Sequence, residues 1–152
     1  MSKFKFSMQS MLKLREAEEK QSKIELAAAT AEVTRLETNL AGVISRLEKE
    51  TAAFEEKQRR GISAGDYRSA CDYFDSLHEL IERIREEIAS AIELQRQKQY
   101  ELQEIYKDKK TLERLREEQY REFLKEEGVK EAKSLEDILM PTIVGTVSED
   151  IA

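Results

Sequence analysis

The stretch "RRGISAGD", residues 59–66, holds two of the chain's five glycines, and regular apolar spacing runs away from it on both sides. Read as a flexible linker, it would join two independent parts. Read as a tight turn, it would fold one helix back onto another. Gly61 suits a helix C-cap, where the backbone needs a left-handed conformation. Ser63 suits an N-cap, and Asp66, three residues on, would sit near the positive end of a new helix. A flexible linker would be longer and richer in Gly and Ser. The stretch therefore reads as stop, turn, start, and so short a connection favours antiparallel neighbours.

On the N-terminal side, Leu26, Ala29, Val33, Leu36, Leu40, Val43, Leu47 and Phe54 recur at intervals of three and four. That is the a/d seam of a coiled coil, broken in register only by Glu50. Between Arg15 and Lys23 the pattern falters, because "REAEEKQSK" offers only alanine as an apolar residue. Pairs such as Glu16–Lys20 and Glu19–Lys23 support a helix there, at about 0.2–0.5 kcal/mol each. A denser apolar patch precedes it: Phe4, Phe6, Met8, Met11, Leu12 and Leu14.

On the C-terminal side a second seam runs through Tyr67, Ala70, Phe74, Leu77, Ile81, Ile84, Ile88 and Ala91. It continues less regularly through Leu102, Ile105, Leu112 and Phe123, with Gln95, Lys98 and Lys109 in seam positions. These spacings predict an all-α antiparallel two-helix coiled-coil hairpin. Helix 1 covers about residues 4–58, some 80 Å at about 1.5 Å per residue. The turn is 59–65 and helix 2 covers about 64–127. Gly128 is the expected stop, and "SLED" at 134–137 is expected to cap a short helix over 135–140, before Pro141. The tail, 141–152, is expected to be mobile.

Composition agrees with a thin seam in place of a globular core. Charged residues make up 38% of the 152, with one proline and no tryptophan, a signature of long helices. The net charge of −6 argues against binding nucleic acid, which relies on Lys and Arg neutralising phosphates. One cysteine, Cys71, forms no internal disulfide and fits a reducing, cytoplasmic setting. No apolar run approaches the roughly 20 residues needed to span a bilayer, so no membrane insertion is expected. The opening "MSKFKFSMQSMLKL" lacks a sustained apolar region and reads as a helix start.

No catalytic constellation is visible, so an enzyme is not expected. One histidine, His78, off the seam, and one cysteine make no zinc site, and the glycines form no phosphate loop. No cofactor or metal is implied. The carboxylates lie among Lys and Arg on polar helix faces and read as solvated charge. Three features remain. The patch from Phe4 to Leu14 is expected to pack on the end of helix 2, around Leu112, Leu115 and Phe123, or else to offer a docking surface. At the turn, Phe74 is on the seam, while Tyr73 beside it should be exposed and, with Tyr67, could anchor an interface. The seam region of Lys98 and Lys109 reads as solvated fraying, or as a helix surface offered to another protein.

With those residues placed, the sequence resembles the flagellar type III export protein family FliJ. "FKFSMQSMLKLREAEE" is similar to the family's N-terminal pattern of phenylalanines, spaced leucines and Arg-Glu. "GISAGDYRSACDYFDSLHELI" is similar to its turn and Tyr- and Leu-bearing helix start. "KDKKTLERLREEQYREFLKEEGVKEAKSLEDI" is similar to its Lys/Arg-rich segment and final acidic and apolar motif. The ending "MPTIVGTVSEDIA" departs from the family pattern.

The resemblance implies an antiparallel two-helix stalk, like the central stalk of rotary ATPases. It implies partners too: a hexameric flagellar export ATPase, whose assembly and activity the stalk promotes, the cytoplasmic part of an export-gate membrane protein, and export chaperones. Carried over by position, Tyr67, Tyr73 and Leu77 are the gate candidates. Phe4, Met8, Met11 and Leu12, with Lys109, Lys110 and Arg114 from the returning helix, are the ring candidates. The implied location is cytoplasmic, at the inner-membrane export apparatus. The alternative is a coiled-coil chaperone or adaptor for secretion substrates that does not act on the ring.

Overall fold

The computed structural model describes residues 2–151, and side chains for residues 2–140. It contains two α-helices, α1 (Gln9–Arg60) and α2 (Ala64–Ile151). Contacts divide the chain into two compact units, Glu19–Glu104 and the combination of Met1–Glu18 with Ile105–Ala152.

In the unit Glu19–Glu104 the turn forms as the residue types dictate. The Gly61 N–H donates to the Gln58 carbonyl at 3.1 Å, and Gly61 takes φ +95°, a region closed to most side chains. Ser63 Oγ accepts from the Asp66 N–H at 3.1 Å. Its carbonyl accepts the first helical bond of α2, from the Tyr67 N–H at 3.0 Å. The same residue thus satisfies two donors of the new helix.

The helices of this unit pair through the expected seam. Val43, Leu77, Ile81 and Ile84 form its buried centre, with Leu40, Leu47, Phe74 and Ile88 packed against them. Further from the turn the seam turns polar. Gln95 Nε2 donates to Thr30 Oγ1 at 3.0 Å, and Lys98 Nζ donates to Glu25 at 3.0 Å. Residue numbers rise on one helix as they fall on the other, which makes the pairing antiparallel. The faltering stretch proves to be a continuation of the seam in polar residues, since Glu19 and Ser22 are both buried.

In the other unit, α1 starts later than its apolar residues suggest. Residues 3–6 are not helical, and the first helical bond runs from the Leu12 N–H to the Met8 carbonyl at 3.0 Å. The alternation Lys3-Phe4-Lys5-Phe6 explains the difference. Outside a helix the alternate phenylalanines are free of the 3.6 period, and both turn towards α2. Phe6 is buried with Leu12 and Leu112, and Phe4 and Leu115 pack on them. Serines tie the segment at both ends: Ser2 Oγ donates to Glu127 at 2.6 Å, and Gln119 Nε2 donates to Ser7 Oγ at 2.9 Å.

The second difference is the length of α2. It passes Gly128 and continues to Ile151, with no separate helix over 135–140. A helical glycine costs only about 1 kcal/mol relative to alanine, and Gly128 has open space around it and an ordinary φ. Every residue from 128 to 140 is exposed. The tail over 141–152 has a helical backbone to Ile151; its side chains, and residue 152, lie outside the described residues.

Candidate functional site

Two groups of side chains hold the expected contact residues, one in each unit. Beside the turn, Phe54 packs edge-on against Phe74, with ring centres 5.5 Å apart, and tilts against Tyr67 at 5.9 Å. Tyr73 leans on Phe74 at 5.9 Å. The cluster arises because Phe54 ends one seam while Tyr67 and Phe74 begin the other. Phe74 is half-buried, whereas Tyr67 and Tyr73 keep 48% and 42% of their surface exposed.

Glu50, the register break, lies at the same level. Its Oε2 is buried without a hydrogen-bond partner. The Tyr73 phenol is held above its ordinary pKa, first by hydrogen bonding towards Glu50, then by burial and by the charge of that carboxylate. Leu77 is different. At 4% exposure it belongs to the seam core with Val43, Ile81 and Ile84. Phe74 packs against that core, and Leu77 is not itself open to a partner.

In the second group, Leu12 is 3% exposed and likewise internal. Phe4 meets Tyr120 edge-on at 5.2 Å and Phe123 at 5.5 Å, so the expected packing of the patch on α2 is realised by Phe4, Phe6 and Leu12. Met8, Met11 and Leu14 stay exposed. Lys110 and Arg114 are exposed as well, while Lys109 is half-buried with Glu113 4.0 Å away. Arg15 bonds Glu18 at 2.7 Å and faces Asp108 at 3.6 Å. Its guanidinium is held above its ordinary pKa chiefly by Glu18. An open cleft of about 560 Å³ lies against Phe4 and Tyr120, with Glu113, Arg116 and Glu117 on its walls.

Sequence reasoning missed the exposed apolar residues of α2 beyond the Phe4 contacts: Leu124, Val129, Leu135, Ile138, Leu139 and Met140. Gly128, taken as a stop, hid those from Val129 onward. The available signal was the apolar spacing itself, which continues past the glycine. His78 is exposed and Cys71 is a free, half-buried thiol, as their positions implied. Among the described residues no group of His, Cys, Asp or Glu could hold a metal ion, and no helix is long and apolar enough to cross a membrane.

Two long helices paired through 3-4 seams, with no strand among the described residues, define an all-α helical hairpin. The family model for the flagellar FliJ protein matches residues 4–142. The chain belongs to that family and is therefore a flagellar export-related protein. No curated protein and no solved structure matches it.

Proposed function

We propose that the chain is a stalk of the flagellar export apparatus that docks in the hexameric export ATPase, promotes its assembly and activity, and links it to the export gate. The observation that carries this is the family match over 4–142 on a chain of two long paired helices. Met8, Met11, Lys110 and Arg114 are the proposed ring-contacting side chains, backed by Phe4, Leu12 and Lys109. Tyr67 and Tyr73, packed on Phe54 and Phe74, are the proposed contacts to the cytoplasmic part of the gate protein, with Leu77 in the seam core nearby. Their exposure supports the reading, since tyrosine and methionine are enriched at protein interfaces. Export chaperones are further proposed partners, and the proposed location is the cytoplasmic face of the inner-membrane apparatus. The role is one of binding and needs no cofactor.

The test is a titration into the export ATPase of the same organism, following ATP hydrolysis and ring formation together. Stimulation of both supports the stalk. No effect from folded, helical protein would refute it and leave the chaperone or adaptor as the reading.

A further inference from the structure

The cleft with Glu113 and Glu117 has a neighbour of different chemistry, which shares Phe4 and Arg116 with it. This groove, of about 490 Å³, is lined by Phe4, Lys5, Phe6, Gln9, Lys13 and Arg116. Three cations meet there, and no carboxylate lines it. All three are exposed, and none has an ion pair or hydrogen bond among the described residues. The fold gathers them. Lys5 stands between Phe4 and Phe6, which pack on α2. Lys13 lies four residues along α1 from Gln9 and so shares its face. Arg116 lies one turn along α2 from the buried Leu112.

Two further observations show that the positive charge is not spent within the chain. Arg35, Arg59, Arg85 and Arg96 each pair with the glutamate three positions before them. Arg116 has Glu113 at that spacing, yet Glu113 lies by Lys109 and the guanidinium stays unpaired. The start of α1 adds to the field. Its first turn, from Gln9, holds no acidic residue, so nothing in that turn offsets the partial positive charge of the helix end.

We propose that this groove binds an acidic segment of another protein, with carboxylates set on Lys5, Lys13 and Arg116 and an apolar side chain set on Phe4. Charge complementarity selects the carboxylates. The phenylalanine wall selects a peptide over a free inorganic anion, which has nothing to place on it. The neighbouring openings select a short acidic segment over a nucleic acid. They meet the groove at Phe4 and carry Glu113 and Glu117 in one, and Glu122, Glu126 and Glu127 in the other. Those carboxylates would repel a phosphate backbone running on past the three cations. The inference goes beyond the stalk reading and stands without it, because the groove's own charges define the ligand.

The probe is a capped peptide of three glutamates and one leucine, titrated at low ionic strength into the full nitrogen-15-labelled chain and followed by amide chemical shifts. Its counterpart has glutamine in place of each glutamate. The glutamate peptide is expected to shift the amides of Gln9, Lys13 and Arg116 and to bind about tenfold more tightly than the counterpart, about a factor of two for each exposed charge pair. The triple variant Lys5→Gln, Lys13→Gln, Arg116→Gln should lose that advantage. The control triple Lys49→Gln, Lys57→Gln, Arg68→Gln removes the same charge at exposed positions of the other unit and should keep it. Should the groove variant lose helicity by circular dichroism, Arg116→Gln alone serves, with about a twofold weakening expected. Equal binding of the two peptides, or an equal loss in the control, would overturn the proposal. So would full displacement of the peptide by inorganic phosphate at matched ionic strength, or tighter binding of a single-stranded oligothymidine at the same amides.

Discussion

Ile84→Ala probes the seam where it is driest. Ile84 is 2% exposed and sits among Val43, Leu77 and Ile81. The substitution removes three carbons, each carrying about 0.8 kcal/mol of burial. Adding the unfilled space left between two helices brings the loss to roughly 2.5–4 kcal/mol. With a urea slope of about 2 kcal/mol per molar, the unfolding midpoint should fall by roughly 1–2 M. The assay is urea unfolding followed by circular dichroism. Ile24→Ala is the control, because Ile24 is exposed, and it should shift stability by less than about 0.5 kcal/mol. A midpoint for Ile84→Ala that moves no further than the control would refute the packing of the seam as described.

Three further outcomes follow from named contacts. Ser63→Ala removes the acceptor of the Asp66 N–H and should cost about 1 kcal/mol, read as a lower urea midpoint with little loss of helicity. The Glu25 carboxyl is held below the usual carboxylate range, first by its hydrogen bond from Lys98 and then by that from Gln21. Its contribution is present above the unfolded value of about 4.3 and is lost as pH falls through the lowered folded value. The drop in Tm on acidification should therefore be smaller in Glu25→Gln than in the parent. Tyr67→Ala with Tyr73→Ala should leave helicity near the parent level while weakening capture by the gate protein's cytoplasmic domain; unchanged capture in a pull-down would remove the tyrosines from the proposed contact.

The turn and the central seam were legible because each rests on local chemistry. Gly61 and Ser63 act on their own backbone neighbours, and Val43, Leu77, Ile81 and Ile84 announce themselves by spacing. The polar part of the seam was harder. Glu19 and Ser22 keep the 3-4 register, but apolar periodicity cannot reveal a buried serine, and the stretch read as a gap. The start of α1 was missed for a related reason. Phe4 and Phe6 read as part of the helix because apolar residues continue into it, yet their alternation with lysine does not follow a helical period, and packing on α2 outside the helix decided between them. Gly128 misled in the opposite direction, because a glycine that only lowers helix propensity looks the same in sequence as one that caps. At the candidate contact surfaces, the spacing separated Phe74 from Tyr73. It did not carry the accessibility of Leu77 or Leu12, which took their candidate roles from family position, while Leu77 lay on the seam and Leu12 in the patch expected to pack on α2.

Stoichiometry tests the stalk most directly. Native mass spectrometry of the export ATPase assembled with nucleotide and an excess of this chain should show one copy bound per six ATPase subunits, and the count should fall in Met8→Asp, Met11→Asp protein that remains helical. One copy bound per ATPase subunit, or none bound at all, would contradict a stalk seated in the ring.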